Sequence, residues 1–406
     1  MKNVKELRVA LIAPQPYVEA RGTPMAVQRV VAVLADLGHE VHVITYPLGQ
    51  APPEHPLVHV HRCRSVPPIK AVKIGLSPAK VVLDISLSAC AARVIRSGHF
   101  DCIHGVEEGA FIAAIASRLA GAPLVYDMDS VMSHEVAEST VGRFPLASWL
   151  AGVAERWAIR NAALVMTISE SMAEYVRRID PTKDVVVVPD IPVPFPPGGP
   201  DASRARTQMP GEFAKNPRLV YAGSLAGYQG LDLLVSAMAR VTADVPQAKL
   251  VVVGGDERGI KQLEKAALAA GVTHSLLFMG KRPPDQIPDF LDAADVLVSP
   301  RRGGINPPAK IYTYMQSGRP IVATDIPAHT TVLDSDSAVL VDPTPEGIAE
   351  GILWTLGHPE EAAGKALRAQ GIVGEITPAL QECRIREAYD LVSARLDTRR
   401  GGARVE

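Results

Sequence analysis

One pattern governs what this chain can fold into. Short runs of β-branched and other apolar residues alternate with longer amphipathic stretches, and the alternation stops once and then restarts. Strand, helix, strand at this rhythm predicts a parallel sheet with helices on both faces, hence an α/β, doubly wound, Rossmann-like architecture. The first series opens with an apolar strand over 7–13, a helix over 24–37 ended by Gly38, and strands over 41–45 and 58–62. The interruption is PDIPVPFPPGGPDA at 189–202, whose prolines forbid helix and central strand. The second series restarts at 219–222, and a final amphipathic helix runs over 378–400. A chain of 406 residues also exceeds the roughly 250–300 that one core supports. These readings divide it into a domain at 1–190, a linker at 191–217, a domain at 218–377 and a tail helix at 378–406.

Composition narrows the function classes. The formal net charge is -2, which argues against a nucleic-acid binder working by general phosphate neutralisation. No stretch approaches about 18 uncharged apolar residues, so no membrane span is expected. The apolar run after the basic N-terminus stops at Pro14 and reads as a buried first strand rather than a signal peptide, which predicts a cytoplasmic protein. Cys63, Cys90, Cys102 and Cys383 show no metal-binding spacing and read as free thiols. Neither a structural metal nor any other cofactor is expected.

In open α/β sheets ligands sit beyond the carboxyl ends of the strands, so the post-strand loops carry the chemistry, and two such domains predict a site between them. In the first loop, Gly22 and Thr23 precede Pro24. They predict a tight turn with Thr23 as the helix cap and a helix N-terminus open to an anion. The loop at 222–234 places glycines at 223 and 230 around a strand-to-helix turn, and Gly254-Gly255 follows another buried strand. Each is equally a plain turn. The densest signal is SPRRGGINPPAKIYTYMQSGRPIVATD at 299–325. Arg301 and Arg302 precede Gly303-Gly304; Asn306 and two prolines lead into a short helix with Lys310 in its first turn. Two arginines, a lysine and a helix N-terminus suit a pyrophosphate, with a solvated charge cluster as the alternative.

At this loop the sequence resembles retaining glycosyltransferases of family 4, which have the GT-B fold. AKLVVVGGDERGIKQLEKAALAAG, LLFMGKRPPDQIPDFLDAADVLVSPRRGG and AKIYTYMQSGRPIVATD follow the family's second domain in order. GTPMAVQRVVAVLADLGHEVHVITY and VMTISESMAEYVRR resemble its first. The resemblance implies a nucleotide-sugar donor in the second domain, an acceptor in the first, and retention at the anomeric carbon. It implies donor contacts from Gly22, Thr23, Gly223, Ser224, Gln229, Arg301, Arg302, Gly303, Gly304, Ile305, Asn306 and Lys310. Nucleotide contacts would come from Gly254, Gly255, Gly280, Lys281 and Thr313. The chain departs from the family where it matters. Ser224 and Gln229 stand where the family has the Arg and Lys that hold the diphosphate, and its paired glutamates fall at Ile305 and Thr313. Charge-assisted bonds of this kind contribute about 1.5–3 kcal/mol each, so the charge is expected to have moved one loop over, to Arg301, Arg302 and Lys310.

Facing the sugar, His104, Glu107, Glu108 and Asp129 follow first-domain strands. Asp129 and His104 are the catalytic candidates, with a packed strand-end residue as the alternative for His104. Residues 60–100 carry Arg62, Arg64, Lys70, Lys73, Lys80, Arg93 and Arg96 among apolar residues. That segment is either a helix packed on the core or a peripheral contact with the inner face of a membrane. The acceptor would be a glycan or a lipid-linked sugar. A non-catalytic sugar or nucleotide binder and a nucleotide-sugar epimerase are the competing functions.

Overall fold

The computed structural model describes residues 6–19, 22–52, 54–65, 69, 78–133, 136, 145–192, 195–196 and 198–402. The chain forms two compact units, residues 1–189 with 378–406, and residues 190–377.

The first unit is built on β1 (Arg8–Ala13), β2 (Glu40–Thr45), β3 (Val58–Arg62), β4 (Cys102–Val106), β5 (Leu124–Met128), β6 (Leu164–Thr167) and β7 (Asp184–Val187). The order across the sheet is β3-β2-β1-β4-β5-β6-β7, every pair parallel. β4 and β5 are buried at every residue. Helices cover both faces, and the polar side chains these strands carry, His104 and Asp127, meet each other. The tail helix Pro378–Gly402 belongs to this unit. Its Ile385, Ala388, Tyr389, Val392 and Leu396 join one core with β1, β2, β6 and the helix Gly22–Asp36.

The second unit repeats the scheme with β8 (Arg218–Ala222), β9 (Lys249–Val253), β10 (Leu276–Gly280), β11 (Val296–Ser299), β12 (Ile321–Thr324) and β13 (Val339–Val341). Their order is β10-β9-β8-β11-β12-β13, again parallel throughout. Both sheets therefore reverse strand order once, between β1 and β4 and between β8 and β11. Such a switch point opens a crevice at the carboxyl ends of the two strands.

Three differences from the sequence reading stand out. The first helix begins at Gly22, so Thr23 lies inside its first turn and does not cap it. Residues 202–215, read as linker, form the helices Ala202–Thr207 and Gly211–Lys215 within the second unit. The spacing of Ala205, Met209 and Phe213 gives that segment an apolar stripe, and all three enter the core. Helices Pro145–Asn161, Pro345–Gly357 and Pro359–Gly374 are additional to those expected. Among the described residues no helix is long and apolar enough to cross a membrane.

Candidate functional site

The second unit's switch point is where the basic residues gather. The loop after β8 and the loop after β11 touch backbone to backbone. Gly230 has φ +70, and a Cβ there would lie 1.9 Å from the carbonyl oxygen of Pro300. Gly254, at φ +118, would place a Cβ 2.1 Å from the carbonyl of Gly223. Only glycine permits both the dihedral and the approach. The tight turns foreseen from these glycines thus hold three post-strand loops together.

Arg301 leaves β11 and is buried, with 6% of its surface exposed. Its Nη1 donates to the Asn306 carbonyl at 3.1 Å, its guanidinium lies 5.3 Å from the Tyr228 ring centre, and its Nε is buried without a hydrogen-bond partner. Lys310 is in the first turn of the helix Ala309–Ser317, whose N-terminus has no side-chain cap. The residue as a whole is half-buried, but its ammonium is enclosed. Nζ donates to Gln229 Oε1 at 2.6 Å and sits 4.2 Å from the centre of the Tyr221 ring. Desolvation, with the nearby Arg301 charge second, holds this lysine well below its ordinary pKa. Neither Arg301 nor Lys310 has a carboxylate within ion-pair distance among the described residues.

Beneath them lies a histidine that sequence reading missed. His329 is fully buried; Nδ1 donates to the Thr324 carbonyl at 2.8 Å, and Nε2 is 2.9 Å from Ser299 Oγ. Burial, then the two cations above, push its pKa down to about 4, so the ring is neutral at neutral pH. A lone His in DIPAHTT carries no spacing signal, so only its packing identifies it.

The other candidates divide clearly. Arg302 does not join the cluster: it is exposed and ion-paired with Asp232, whose charge already satisfies it. Gln229, buried, stands where the family's lysine was expected and receives the Lys310 ammonium instead. A lysine from the helix after β11 thus reaches the loop after β8. Ser224 is exposed and offers its carbonyl to Tyr221 Oη at 2.5 Å. Gly303, Gly304, Ile305 and Asn306 line the path from Arg301 to the helix, all half-buried. Thr313 is 8% exposed on the helix behind Lys310. Gly254, Gly255 and Gly280 follow β9 and end β10, and Lys281 is exposed.

Gly22 and Thr23 belong to the first unit, at the start of the helix after β1. There the strand-end backbone is strained on both sides of the switch point. Val18, after β1, has φ 61, and Glu107, after β4, has φ 50. L-residues rarely adopt this left-handed conformation, least of all a β-branched one. Ser130 Oγ donates to Glu107 Oε2 at 2.8 Å, and Asp129 is half-buried just after β5. His104 is a correction. Its ring is fully enclosed, with Nε2 3.2 Å from Asp127 Oδ2 and Nδ1 2.8 Å from Tyr389 Oη. Both nitrogens are taken, so it clamps the tail helix to β4 and β5 and presents nothing to a substrate.

Of the basic residues at 60–100 that the structure describes, Arg64, Arg93 and Arg96 are exposed, whereas Lys80 and Arg62 are engaged. Lys70 and Lys73 lie outside the described residues. Lys80 is ion-paired with Glu108, and Arg62 donates to the carbonyls of Leu48 and Gln50.

Residues 21–190 match the family model described as a glycosyl transferase 4-like domain, and residues 216–358 match that of the glycosyl transferases group 1. Together they span most of both units. The chain is a GT4-type glycosyltransferase of GT-B fold. Among its relatives is the 2-deoxystreptamine N-acetyl-D-glucosaminyltransferase of Streptomyces fradiae, 29% identical over 71% of this chain and 70% of that protein. Another is the D-inositol 3-phosphate glycosyltransferase of Acidothermus cellulolyticus, 27% identical over 89% and 82%. The fold is shared with sucrose-phosphate synthase from Thermosynechococcus elongatus, at TM-score 0.77 and 19% identity over 96% of this chain and 100% of that one. It is also shared with Anabaena HepE in complex with UDP, at TM-score 0.71 and 18% identity over 94% and 99%.

Proposed function

We propose that this glycosyltransferase takes its sugar from a nucleoside-diphosphate sugar whose diphosphate is held by Arg301, Lys310 and the uncapped N-terminus of the helix Ala309–Ser317. The observation that carries this reading is that Arg301 and Lys310 are enclosed with no counter-ion among the described residues. Burying unpaired charge is costly, and an anion arriving at the switch point supplies the missing partner. As the glycosidic bond breaks, negative charge grows on the leaving diphosphate, and the same groups stabilise it there. The sugar passes through an oxocarbenium-like state, and its anomeric configuration is retained. The nucleoside lies toward Gly254, Gly255, Gly280, Lys281 and Thr313, and Ser224 and the 303–306 turn border the sugar. The first unit, by the same reading, takes the acceptor, near its own Gly22, Thr23, Glu107 and Asp129. Relatives named for 2-deoxystreptamine and inositol 3-phosphate suggest a polyhydroxylated ring as acceptor, either free or as the sugar of a glycan or lipid carrier. No residue is assigned to a metal in this chemistry.

The test is calorimetric titration with UDP and GDP, followed by nucleotide release from their sugars with a cyclitol panel. Arg301→Ala and Lys310→Ala are each expected to weaken nucleoside-diphosphate binding by about 10–100-fold, and Arg302→Ala to leave it within about threefold. Equal losses at all three positions would refute the assignment.

A membrane contact rests on a narrower feature. Val81 and Ile85 of the helix Pro78–Arg96 are 54% and 68% exposed. If this face meets an anionic bilayer, Ile85→Glu abolishes co-sedimentation with phosphatidylglycerol vesicles. Equal sedimentation of variant and wild type removes the idea.

A further inference from the structure

No Cys/His spacing along the chain marks a metal site, but adjacent strands of the first sheet bring candidate ligands together from alternating positions. Glu40 and His42 are two apart on β2, and His59 and His61 two apart on β3, with His42 paired to His59 in the parallel register. All four side chains therefore share one face. Glu40 Oε1 lies 2.9 Å from His42 Nε2 and 3.3 Å from His59 Nε2, and the three ligating atoms are mutually within 4.8 Å. Zinc held by imidazole and carboxylate at about 2.0–2.2 Å in tetrahedral geometry needs ligand atoms roughly 3.3 Å apart.

The surroundings prepare the ligands. His42 Nδ1 is 2.9 Å from His61 Nε2, and its ring stacks on His61 at 7° with Phe100 edge-on. When Nδ1 donates to His61, the lone pair of His42 is left at Nε2, facing Glu40. Arg8 Nε lies 3.2 Å from Glu40 Oε2 and fixes that carboxylate, while Nε and Nη2 also reach His42 Nε2 at 3.3 and 3.2 Å. A metal displaces the second contact, and the Arg8 side chain, 37% exposed, has solvent to turn into.

We propose that Glu40, His42 and His59 form a binding site for a zinc-class divalent cation that ties the edge strand β3 to β2. Imidazole with carboxylate suits zinc and its neighbours rather than magnesium or calcium. The ligands lie toward the amino ends of their strands, away from the loops that carry the transfer chemistry, so the site is a staple. An edge strand has one ladder partner, and a metal adds a second hold.

Titration of the full chain with zinc chloride tests it, with His59→Ala and Glu40→Gln beside wild type and the exposed His274→Ala as control. His59 is 44% exposed at its side chain, so its loss leaves the core intact. Wild type and His274→Ala are expected to bind one equivalent. His59→Ala and Glu40→Gln should bind at least tenfold more weakly, and zinc should raise the unfolding temperature of wild type but not of His59→Ala. No zinc binding by wild type, or equal binding by His59→Ala, overturns the site.

Discussion

At the residue scale, the proposed donor pocket depends on two basic groups kept in poor solvation. Lys310 has its pKa lowered by burial first and by Arg301 second. The sign of its linkage to binding follows. In the free protein the ammonium gives up its proton more readily than an exposed lysine does, and an incoming diphosphate restores the charged form. Binding therefore takes up protons, and affinity falls as pH rises. Calorimetry at about pH 8 in two buffers of different ionisation enthalpy measures the uptake. A value of zero there and at higher pH would show that Lys310 stays charged without ligand. The neutral His329 beneath fits the same economy, since a third cation would add repulsion where none is compensated.

At the element scale, the site is made by loops that approach closer than side chains allow. Gly230 and Gly271 have nearly the same backbone, φ +70 and +71, but different surroundings. A Cβ at Gly230 meets the Pro300 carbonyl at 1.9 Å, whereas nothing lies within 4 Å of one at Gly271. Gly271→Ala is expected to cost about 1 kcal/mol from its dihedral alone, and Gly230→Ala about 3 kcal/mol or more, because the loops after β8 and β11 must also separate. Urea unfolding measures both, and equal costs would mean that the loop contact is soft. The Gly-rich loops were readable in the sequence because their glycines follow apolar strand runs directly. Which backbone each glycine admits was not, since the partners come from other strands.

At the scale of the whole molecule, the last helix completes the first unit. Tyr389 brings its hydroxyl to His104 across most of the chain's length, at 2.8 Å and with both groups buried. Tyr389→Phe leaves the ring packing but strands His104 Nδ1, at an expected cost of about 1–3 kcal/mol. Because the proposed nucleotide contacts lie in residues 190–377, UDP affinity should not change. A drop in thermal stability with unchanged UDP affinity is the expected pair of results; lost UDP affinity would argue that the units do not act separately.

The alternation of apolar runs and amphipathic stretches determined the α/β class, most strand positions and the two-unit scheme, because buried parallel strands need continuous apolar residues and their connections need helices. The basic loop at 301–310 was legible for the same local reason, as charges and glycines concentrate where a strand ends. Tertiary structure decided the rest. It paired Arg302 with Asp232, brought Lys310 to Gln229, buried His329 and His104, and set Glu40, His42 and His59 on one face. Each of these depends on which distant segment lies opposite. Local spacing limits where a side chain can point, but its partner, and so its charge and availability, is set only when the sheets and loops have packed.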